Sequence, residues 1–233
     1  MIPARNPCIV SLFMNNIDQK TVQLQRQVID KFNKSGHQFY HVLTDSTHGA
    51  SMNKAIEAIH DRKHDAVLFL DIDCVPVNYT AIDYMFNRAY EGKLIGDAQR
   101  SNHIENNQHV FAGAHNICFT LDLFVQCGKP YLEPTPRGDV AEELTWRARE
   151  RNIEVELLMP LRYEAPPIRM AWEPKDSPPY WPLADGMPVY GIGTTYGLTD
   201  GETQQDMFWH CWQSFHPGQQ ERFWKKCEEL LNG

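Results

Sequence analysis

Residues 66–78 read AVLFLDIDCVPVN, an apolar run that passes directly into two acids and then into a turn that contains proline. Such a run with turn residues behind it is typical of a buried strand in a parallel sheet. Because side chains alternate along a strand, Asp71 and Asp73 point to one side and Ile72 points to the other. The two carboxylates therefore project together at the carboxyl end of the strand, where open α/β sheets bind ligands.

The close placement of two acidic side chains requires a physical explanation. Like charges repel, and burying them is costly unless a cation holds them. Carboxylate oxygens are the ligands that hard divalent cations prefer. We therefore interpret Asp71 and Asp73 as a site for Mg²⁺ or Mn²⁺ that carries a phosphorylated substrate. The alternative is an ordinary pair of solvated acids at a strand end, since short acidic pairs are common.

The pattern around this strand predicts an α/β fold. Strand and helix signals alternate, which indicates a mostly parallel, twisted sheet flanked by helices. The predicted strands lie within residues 7–16, 37–45, 66–78, 93–97, 114–119 and 153–159, and the predicted helices cover 17–35, 49–61, 79–91 and 139–152. GIGTTYG at 191–197 is predicted to be a flexible turn, and a helix is expected near the C-terminus.

Bulk properties narrow the class of protein. The net charge of −8 argues against a broad basic face for nucleic acid. None of the six cysteines forms a C-x-x-C pair, so we expect neither a disulfide framework nor a structural zinc. Apolar runs are too short to span a bilayer, and we see no signal peptide. We therefore expect a cytoplasmic protein, in a bacterial cell or in the host cell of a virus.

Over most of residues 7–160 the chain resembles a glycosyltransferase of the GT-A fold. The resemblance rests on the βαβα half, the D-x-D strand LFLDIDC, the segment GAHNICFTLDLF and the acidic helix DVAEELTWRARERN. It implies metal-dependent transfer of a sugar from a nucleotide-diphosphate sugar to a hydroxyl acceptor. It also implies a nucleotide-binding half at 1–78, an acceptor half at 79–160, and a C-terminal lid and closing helix at 161–233 in the same domain.

The resemblance assigns the metal ligands position by position. Asp73 would bind the cation directly, and Asp71 would contact the ribose or reach the cation through water. Ile72 between them would belong to the nucleotide site. A third ligand in this family is commonly a histidine from the C-terminal part, which implies His210 first and His216 second. A neutral imidazole suits Mn²⁺.

The remainder of the nucleotide pocket follows from the same resemblance. Asp45, at the end of the second predicted strand, matches the acid that hydrogen-bonds the base, although capping of a turn or helix explains it equally well. Asn53 and Lys54 match a polar segment that lines the pocket. Phe13 and Asn15 follow the first strand, where the base and ribose rest.

Inverting GT-A enzymes carry their general base on the acidic helix. Asp139 and Glu143 lie four residues apart on one helix face, so both are candidate catalytic residues, with Glu142 adjacent. The commonest base is a Glu-Asp pair, whereas these acids read DVAEE. Asp139 and Glu142 also match a capping box. A retaining enzyme needs no base, and the acids would then bind the acceptor.

Other classes of protein stay open. LFLDIDCV also fits the signature of haloacid-dehalogenase-type phosphohydrolases, with Asp71 as nucleophile and Asp73 as acid/base. That signature normally lies on the first strand, whereas two strand–helix units precede it here. A nucleotidyltransferase would need a Gly-rich basic loop that SLFMNNIDQK lacks. A non-catalytic nucleotide-sugar-binding module would keep the same residues without transfer.

The acceptor and the closing segment are the least defined parts. Residues 160–190 are rich in Pro, Trp and Tyr, and such a segment could close over the donor. Trp172, Trp181 or Trp209 could stack on a sugar or base, although simple core packing is the favoured explanation for any single one of them. The acceptor could be a glycan, a small molecule or, as a less favoured hypothesis, a modified DNA base. The local support for DNA is a group of arginines: Arg100, Arg137, Arg147, Arg149 and Arg151.

Overall fold

A computed structural model describes residues 5–101, 109–164, 192–200, 202–212 and 217–233. The described strands are β1 (Pro7–Phe13), β2 (Gln38–Leu43), β3 (Ala66–Asp71), β4 (Cys74–Pro76), β5 (Leu94–Arg100), β6 (Val110–Thr120), β7 (Val155–Arg162), β8 (Ile192–Thr199) and β9 (Gln204–Cys211). The described helices are α1 (Gln19–Phe32), α2 (His48–Asp61), α3 (Ala81–Tyr90), α4 (Leu121–Gln126), α5 (Glu142–Glu150) and α6 (Pro217–Asn232).

These strands form one sheet in the order β2-β1-β3-β6-β5-β7-β8-β9-β4. The pairs β1–β2, β1–β3 and β5–β7 are parallel, and the other five pairs are antiparallel. The α/β class is confirmed, but the expectation of a mostly parallel sheet is wrong, because the sheet is mixed. Only residues 200–203 separate β8 from β9 along the chain, and so short a link favours an antiparallel pair.

The sheet also curls on itself. Only Ile72 and Asp73 separate β3 from β4 along the chain, yet the two strands lie at opposite ends of a run of seven strands, β3-β6-β5-β7-β8-β9-β4. The two-residue turn therefore joins one end of the run to the other. Residues on β6, β8 and β9 are thereby brought close to the acids at the end of β3.

The apolar run of β3 is buried on both faces, which explains why it does not alternate with polar residues. Val67 and Phe69 pack into a core with α2, α4 and α5. Ala66, Leu68 and Leu70 pack into a second core with α3. A third cluster joins α1 to α6 and to the β4–β9 pair. Continuous burial of this strand fixes where its terminal acids emerge.

Two local predictions need correction. The stretch predicted as a flexible turn at 191–197 largely forms β8, which pairs with β7 and β9. The acidic helix begins at Glu142 rather than at Asp139, after Ala141 in a left-handed conformation with φ 62°. Asp139 is therefore not the N-cap. Half of the predicted capping box remains, because the Glu142 carboxylate accepts a hydrogen bond from the Asp139 N–H at 2.8 Å.

None of the six cysteines is paired in a disulfide. All six cysteines are buried and are free thiols. Burial raises the pKa of the Cys8 thiol to about 12, so this side chain behaves as a small apolar group. In the described parts of the chain, the helices fall short of the length and apolar character that crossing a membrane requires.

Gly96 on β5 lies tightly against β6. A Cβ atom at this position would lie 2.6 Å from the carbonyl oxygen of Asn116 and 2.9 Å from the Cβ of Ala112. We expect Gly96→Ala to lower the free energy of unfolding by about 1–3 kcal/mol, because the strands must separate to accept the methyl group. Urea denaturation measures this change.

Gly218 near the start of α6 provides the matched control, since nothing lies within 4 Å of an added Cβ there. Alanine favours helix over glycine by up to about 1 kcal/mol, so Gly218→Ala should leave stability unchanged or raise it slightly. A Gly96→Ala variant as stable as Gly218→Ala would contradict the close approach of β5 and β6.

Candidate metal and nucleotide site

Three predicted ligands converge where the curled sheet meets itself. Asp71 ends β3, Asp73 lies in the turn before β4, and His210 lies on β9, with ligand atoms of all three within 4.8 Å of one another. His210 Nε2 is 3.2 Å from Asp73 Oδ1 and 3.9 Å from Asp71 Oδ2. Two carboxylates and an imidazole suit Mn²⁺ well, and the carboxylates also suit Mg²⁺. The donor set therefore fits the expected cation.

Backbone pairing holds these ligands in register. Cys74 pairs with His210 across the β4–β9 ladder, and the N–H of Cys211 donates a hydrogen bond to the Asp73 carbonyl oxygen at 2.9 Å. Gln25 from α1 is fully buried and braces the same turn. Its amide donates to the carbonyl oxygens of Asp71 at 2.5 Å and Cys74 at 3.0 Å. The positions of the ligands thus depend on contacts to the main chain that involve β4, β9 and α1.

The charges of this cluster favour a cation. Burial raises the pKa of Asp71, and the neighbouring Asp73 carboxylate raises it further, while the imidazoles of His48 and His210 act in the opposite direction. Burial alone would lower the pKa of His210, but the carboxylates of Asp73 and Asp71 raise it above the ordinary value. Carboxylates that raise the pKa of a buried histidine create a local environment that favours positive charge.

His48 is a site residue that the sequence predictions missed. It is the first residue of α2, and its Nε2 lies 3.3 Å from Asp71 Oδ1. The parallel order β2-β1-β3 brings the loop after β2 to the same edge as the end of β3. Polar residues after the second predicted strand were therefore the signal that could have identified it.

A cavity of about 440 Å³ opens beside the ligand cluster. Five predicted residues line it together: Phe13, Asp71, Ile72, Asp73 and His210. The structure thus brings the predicted metal ligands and part of the predicted nucleotide pocket into one space. The volume lies within the range of about 300–1,000 Å³ that is usual for small-molecule sites.

Other predicted nucleotide residues lie around this cavity rather than in it. Asp45 and Lys54 line a neighbouring cavity of about 360 Å³, which shares Leu12 and Thr44 with the first. Asn53 lines neither of these two cavities. Its side-chain amide donates to the carbonyl oxygen of Gly49 at 2.9 Å and stabilises α2.

The two predicted catalytic acids lie in a different environment. Glu143 is mostly buried and accepts hydrogen bonds from Arg137 Nε and Nη2, both at 2.7 Å, and from Arg147 Nε at 2.6 Å. These contacts, led by Arg137, lower the pKa of Glu143. The Asp139 carboxylate accepts from the Val140 N–H at 2.8 Å. Neither acid belongs to the ligand cluster, and their catalytic roles stay predictions.

Some predictions concern parts of the chain outside the described residues. These are His216, Trp172 and Trp181, and most of the predicted closing segment. Trp209 is described and is buried beside Phe223, with ring centroids 6.2 Å apart. Trp209 therefore packs in the core instead of presenting its ring to a sugar.

Comparison with known proteins gives a likeness of fold only. No family model matches the sequence, and no curated protein does. A protein from Desulfovibrio desulfuricans G20 assigned to the nucleotide-diphospho-sugar transferases has a TM-score of 0.46 and 12% identity, covering 66% of this chain and 80% of its own. A 4-diphosphocytidyl-2C-methyl-D-erythritol synthase from Anaerococcus prevotii DSM 20548 has a TM-score of 0.47 and 13% identity, covering 66% of this chain and 88% of its own.

A glycosyltransferase involved in glycosylation of the major capsid of PBCV-1 has a TM-score of 0.43 and 9% identity, covering 64% of this chain and 80% of its own. These TM-scores describe a coarse likeness. A nucleotide-diphospho-sugar transferase and a glycosyltransferase thus stand among the structures to which this chain shows a distant likeness.

The contacts of Glu143 predict a pH-dependent contribution to stability. Because its pKa is lowered on folding, the contribution is present above the ordinary value of 4.5 and is lost as pH falls through the lowered pKa. We expect Glu143→Gln to lower the free energy of unfolding at pH 7 by about 1.5–3 kcal/mol, as for hydrogen bonds to charged groups. Urea denaturation between pH 7 and acidic pH should show the variant and the wild type converging in stability.

Glu154 provides the control, since its ion pair with Lys93 is exposed on the carboxylate side. Glu154→Gln should cost no more than about 1 kcal/mol, as for surface ion pairs. Equal losses for the two variants would show that the contacts of Arg137 and Arg147 do not stabilise the fold.

Proposed function

We propose that this protein is a metal-dependent glycosyltransferase that moves a sugar from a nucleotide-diphosphate sugar to a hydroxyl acceptor. The observation that carries the proposal is the convergence of Asp71, Asp73 and His210 beside a cavity of about 440 Å³. The ligands come from β3, from the turn that follows it and from β9, and β3 and β9 are separated by four strands in the sheet, so the fold itself assembles them.

The cation would be held by Asp73 and His210, with Asp71 as the third ligand. When bound, it supplies positive charge that stabilises the charge developing on the leaving nucleoside diphosphate. Phe13 and Ile72 provide apolar surface in the same cavity for the donor. His48 contacts the outer oxygen of Asp71 and so leaves the other oxygen directed toward His210.

The base of the donor would extend toward the neighbouring cavity. Asp45 there offers carboxylate oxygens to N–H groups of a base, and Lys54 lies beside it. Lys54 Nζ donates to Ser46 Oγ at 2.7 Å, which holds the lysine at the boundary between the two cavities. The shared residues Leu12 and Thr44 make the two spaces adjacent, as a nucleotide with a base and a diphosphate requires.

The acceptor side is assigned to the segment that contains Asp139 and Glu143. A general base is most effective when its pKa lies near the working pH. The arginine contacts lower the pKa of Glu143 and engage both of its carboxylate oxygens, which makes Glu143 a poor general base. Asp139 is therefore the better candidate for deprotonating the acceptor, and Glu143 for holding the acceptor segment in place.

The phosphohydrolase alternative is less well supported. It requires late acids that join Asp71 and Asp73 around a cation, whereas the carboxylate of Glu143 is engaged by two arginines. A nucleic-acid acceptor also loses support, because Arg137 and Arg147 pair with Glu143 and Glu150 and the net charge is −8. A glycan or small-molecule acceptor is favoured.

The test is a thermal-shift panel of nucleoside diphosphates and nucleotide sugars with and without Mn²⁺. One nucleoside diphosphate should raise the melting temperature in a Mn²⁺-dependent way, since a ligand at 100 times its Kd stabilises by about 2.7 kcal/mol. Asp73→Asn should abolish the Mn²⁺-dependent part because a direct ligand is lost. The matched control is Asp65→Asn at the opposite end of β3, where the carboxylate contacts Asn6 and Tyr90.

The outcome should be paired with an activity assay. Mn²⁺-dependent release of sugar from the stabilising nucleotide sugar, lost in Asp73→Asn and kept in Asp65→Asn, is the result expected of a transferase without its acceptor. Phosphatase activity that depends on Asp71 would instead favour the phosphohydrolase. Tight Mn²⁺-dependent binding with no cleavage under any condition would favour the non-catalytic module.

A further inference from the structure

A buried carboxylate lies behind the ligand cluster and has no role in the proposed mechanism. Asp97 on β5 is fully buried at 0% exposure. Asn116 Nδ2 donates to Asp97 Oδ1 at 2.9 Å, and His115 Nε2 lies 3.4 Å from Asp97 Oδ2. Burial raises the pKa of Asp97. Burying a carboxylate costs free energy of folding, and such groups are often found at functional sites. A functional role of Asp97 and its partners would account for this cost.

His115 connects this carboxylate to the metal ligand. Its ring stacks on the ring of His210 with centroids 4.3 Å apart and planes within 8° of parallel. Both rings are inside the protein, with His115 at 5% exposure and His210 at 3%. The contact arises because the curled sheet places β6 against β9. Any tilt of the His115 ring would therefore be transmitted to the plane of His210.

His210 lacks the usual support for a ligating histidine. Such a residue normally donates its second ring N–H to a carboxylate, carbonyl or water, which fixes the ring orientation. In the described parts of the chain, the buried Nδ1 of His210 has no hydrogen-bond partner. Stacking on His115 is thus a contact among the described residues that can fix the plane of the His210 ring, whose Nε2 faces Asp73.

The ring of His115 is itself tightly confined. A Cβ atom on Gly113 would lie 2.6 Å from His115 Cε1 and 2.7 Å from its Nδ1, so only glycine leaves room for this ring. The ring of Tyr196 on β8 lies 5.3 Å from that of His115. Asp97 contacts the remaining edge at Nε2. The imidazole is held on each of these sides in one orientation.

We propose that Asp97 and His115 are positioning residues for His210 as a metal ligand. The Asp97 carboxylate acts on the His115 ring electrostatically, from 3.4 Å away from Nε2. The His115 ring in turn fixes the plane of His210 so that its Nε2 faces the two carboxylates. This inference rests on the proposed metal site. Neither residue lines the cavity of about 440 Å³ or belongs to the ligand cluster, so both would act through His210.

The test is the Mn²⁺ affinity of Asp97→Asn, measured by calorimetry on the full chain. Asparagine keeps the shape, and its amide oxygen still accepts from Asn116, but an amide N–H₂ replaces the oxygen that faces His115. The expected result is a loss of about 10- to 100-fold in Mn²⁺ affinity, as for other residues that orient metal ligands. Asp65→Asn, the same substitution at the far end of β3, should leave the affinity unchanged.

A spectroscopic measurement separates positioning from loss of stability. In the Co²⁺-loaded protein the visible absorption bands report the geometry of the ligands. They should shift in Asp97→Asn and stay in place in Asp65→Asn, with melting temperatures measured for both. If Asp97→Asn does not fold, His115→Phe provides the second variant. It keeps a flat ring against His210, loses the contact with Asp97, and should also weaken Mn²⁺ binding.

The possible failures can be told apart. If the wild type binds Mn²⁺ and Asp97→Asn binds it equally well with an unshifted Co²⁺ spectrum, the positioning role is overturned and the proposed function is untouched. An equal loss of affinity in Asp65→Asn overturns it as well, because the effect is then general. If the wild type binds no Mn²⁺, the metal site fails and the positioning role fails with it.

Discussion

The main-chain pairing of β4 with β9 is the constraint on which the site depends. β4 follows β3 after two residues, and its register with β9 sets His210 beside Cys74. The hydrogen bond from the Cys211 N–H to the Asp73 carbonyl oxygen closes the same turn. Without this pairing, the acids at the end of β3 would lose His210 as a partner. The chemistry of the candidate site is thus a consequence of how the sheet curls on itself.

The carboxylates discussed above differ in the kind of partner that balances their charge. Glu143 is neutralised within its own segment by Arg137 and Arg147, so its charge is balanced without a ligand. Asp71 and Asp73 instead lie beside the imidazoles of His48 and His210. A histidine beside a pair of carboxylates carries a positive charge only when its imidazole is protonated. Carboxylates left in this state are suited to a cation that arrives with a substrate.

Several features of the structure could be predicted from short stretches of sequence. The apolar run of 66–70 correctly indicated a doubly buried strand, and the spacing of Asp71 and Asp73 correctly placed both at its end. The direction of the strands could not be predicted in this way, because a strand buried on both faces has the same composition whether its neighbours are parallel or antiparallel. The helix start at Glu142 was also missed, since a capping pattern does not reveal that Ala141 adopts a left-handed conformation.

By itself the sequence determined the α/β class, the central strand and the acidic pair, because these depend on hydrophobic periodicity over a few residues. It also indicated His210, through the resemblance to the GT-A family rather than through its local pattern. The tertiary structure alone decided that His48, His115 and Asp97 belong to the same region. They come from separate elements, and only the mixed, curled sheet brings them together. Contacts between distant segments depend on strand order and direction, which no local pattern encodes.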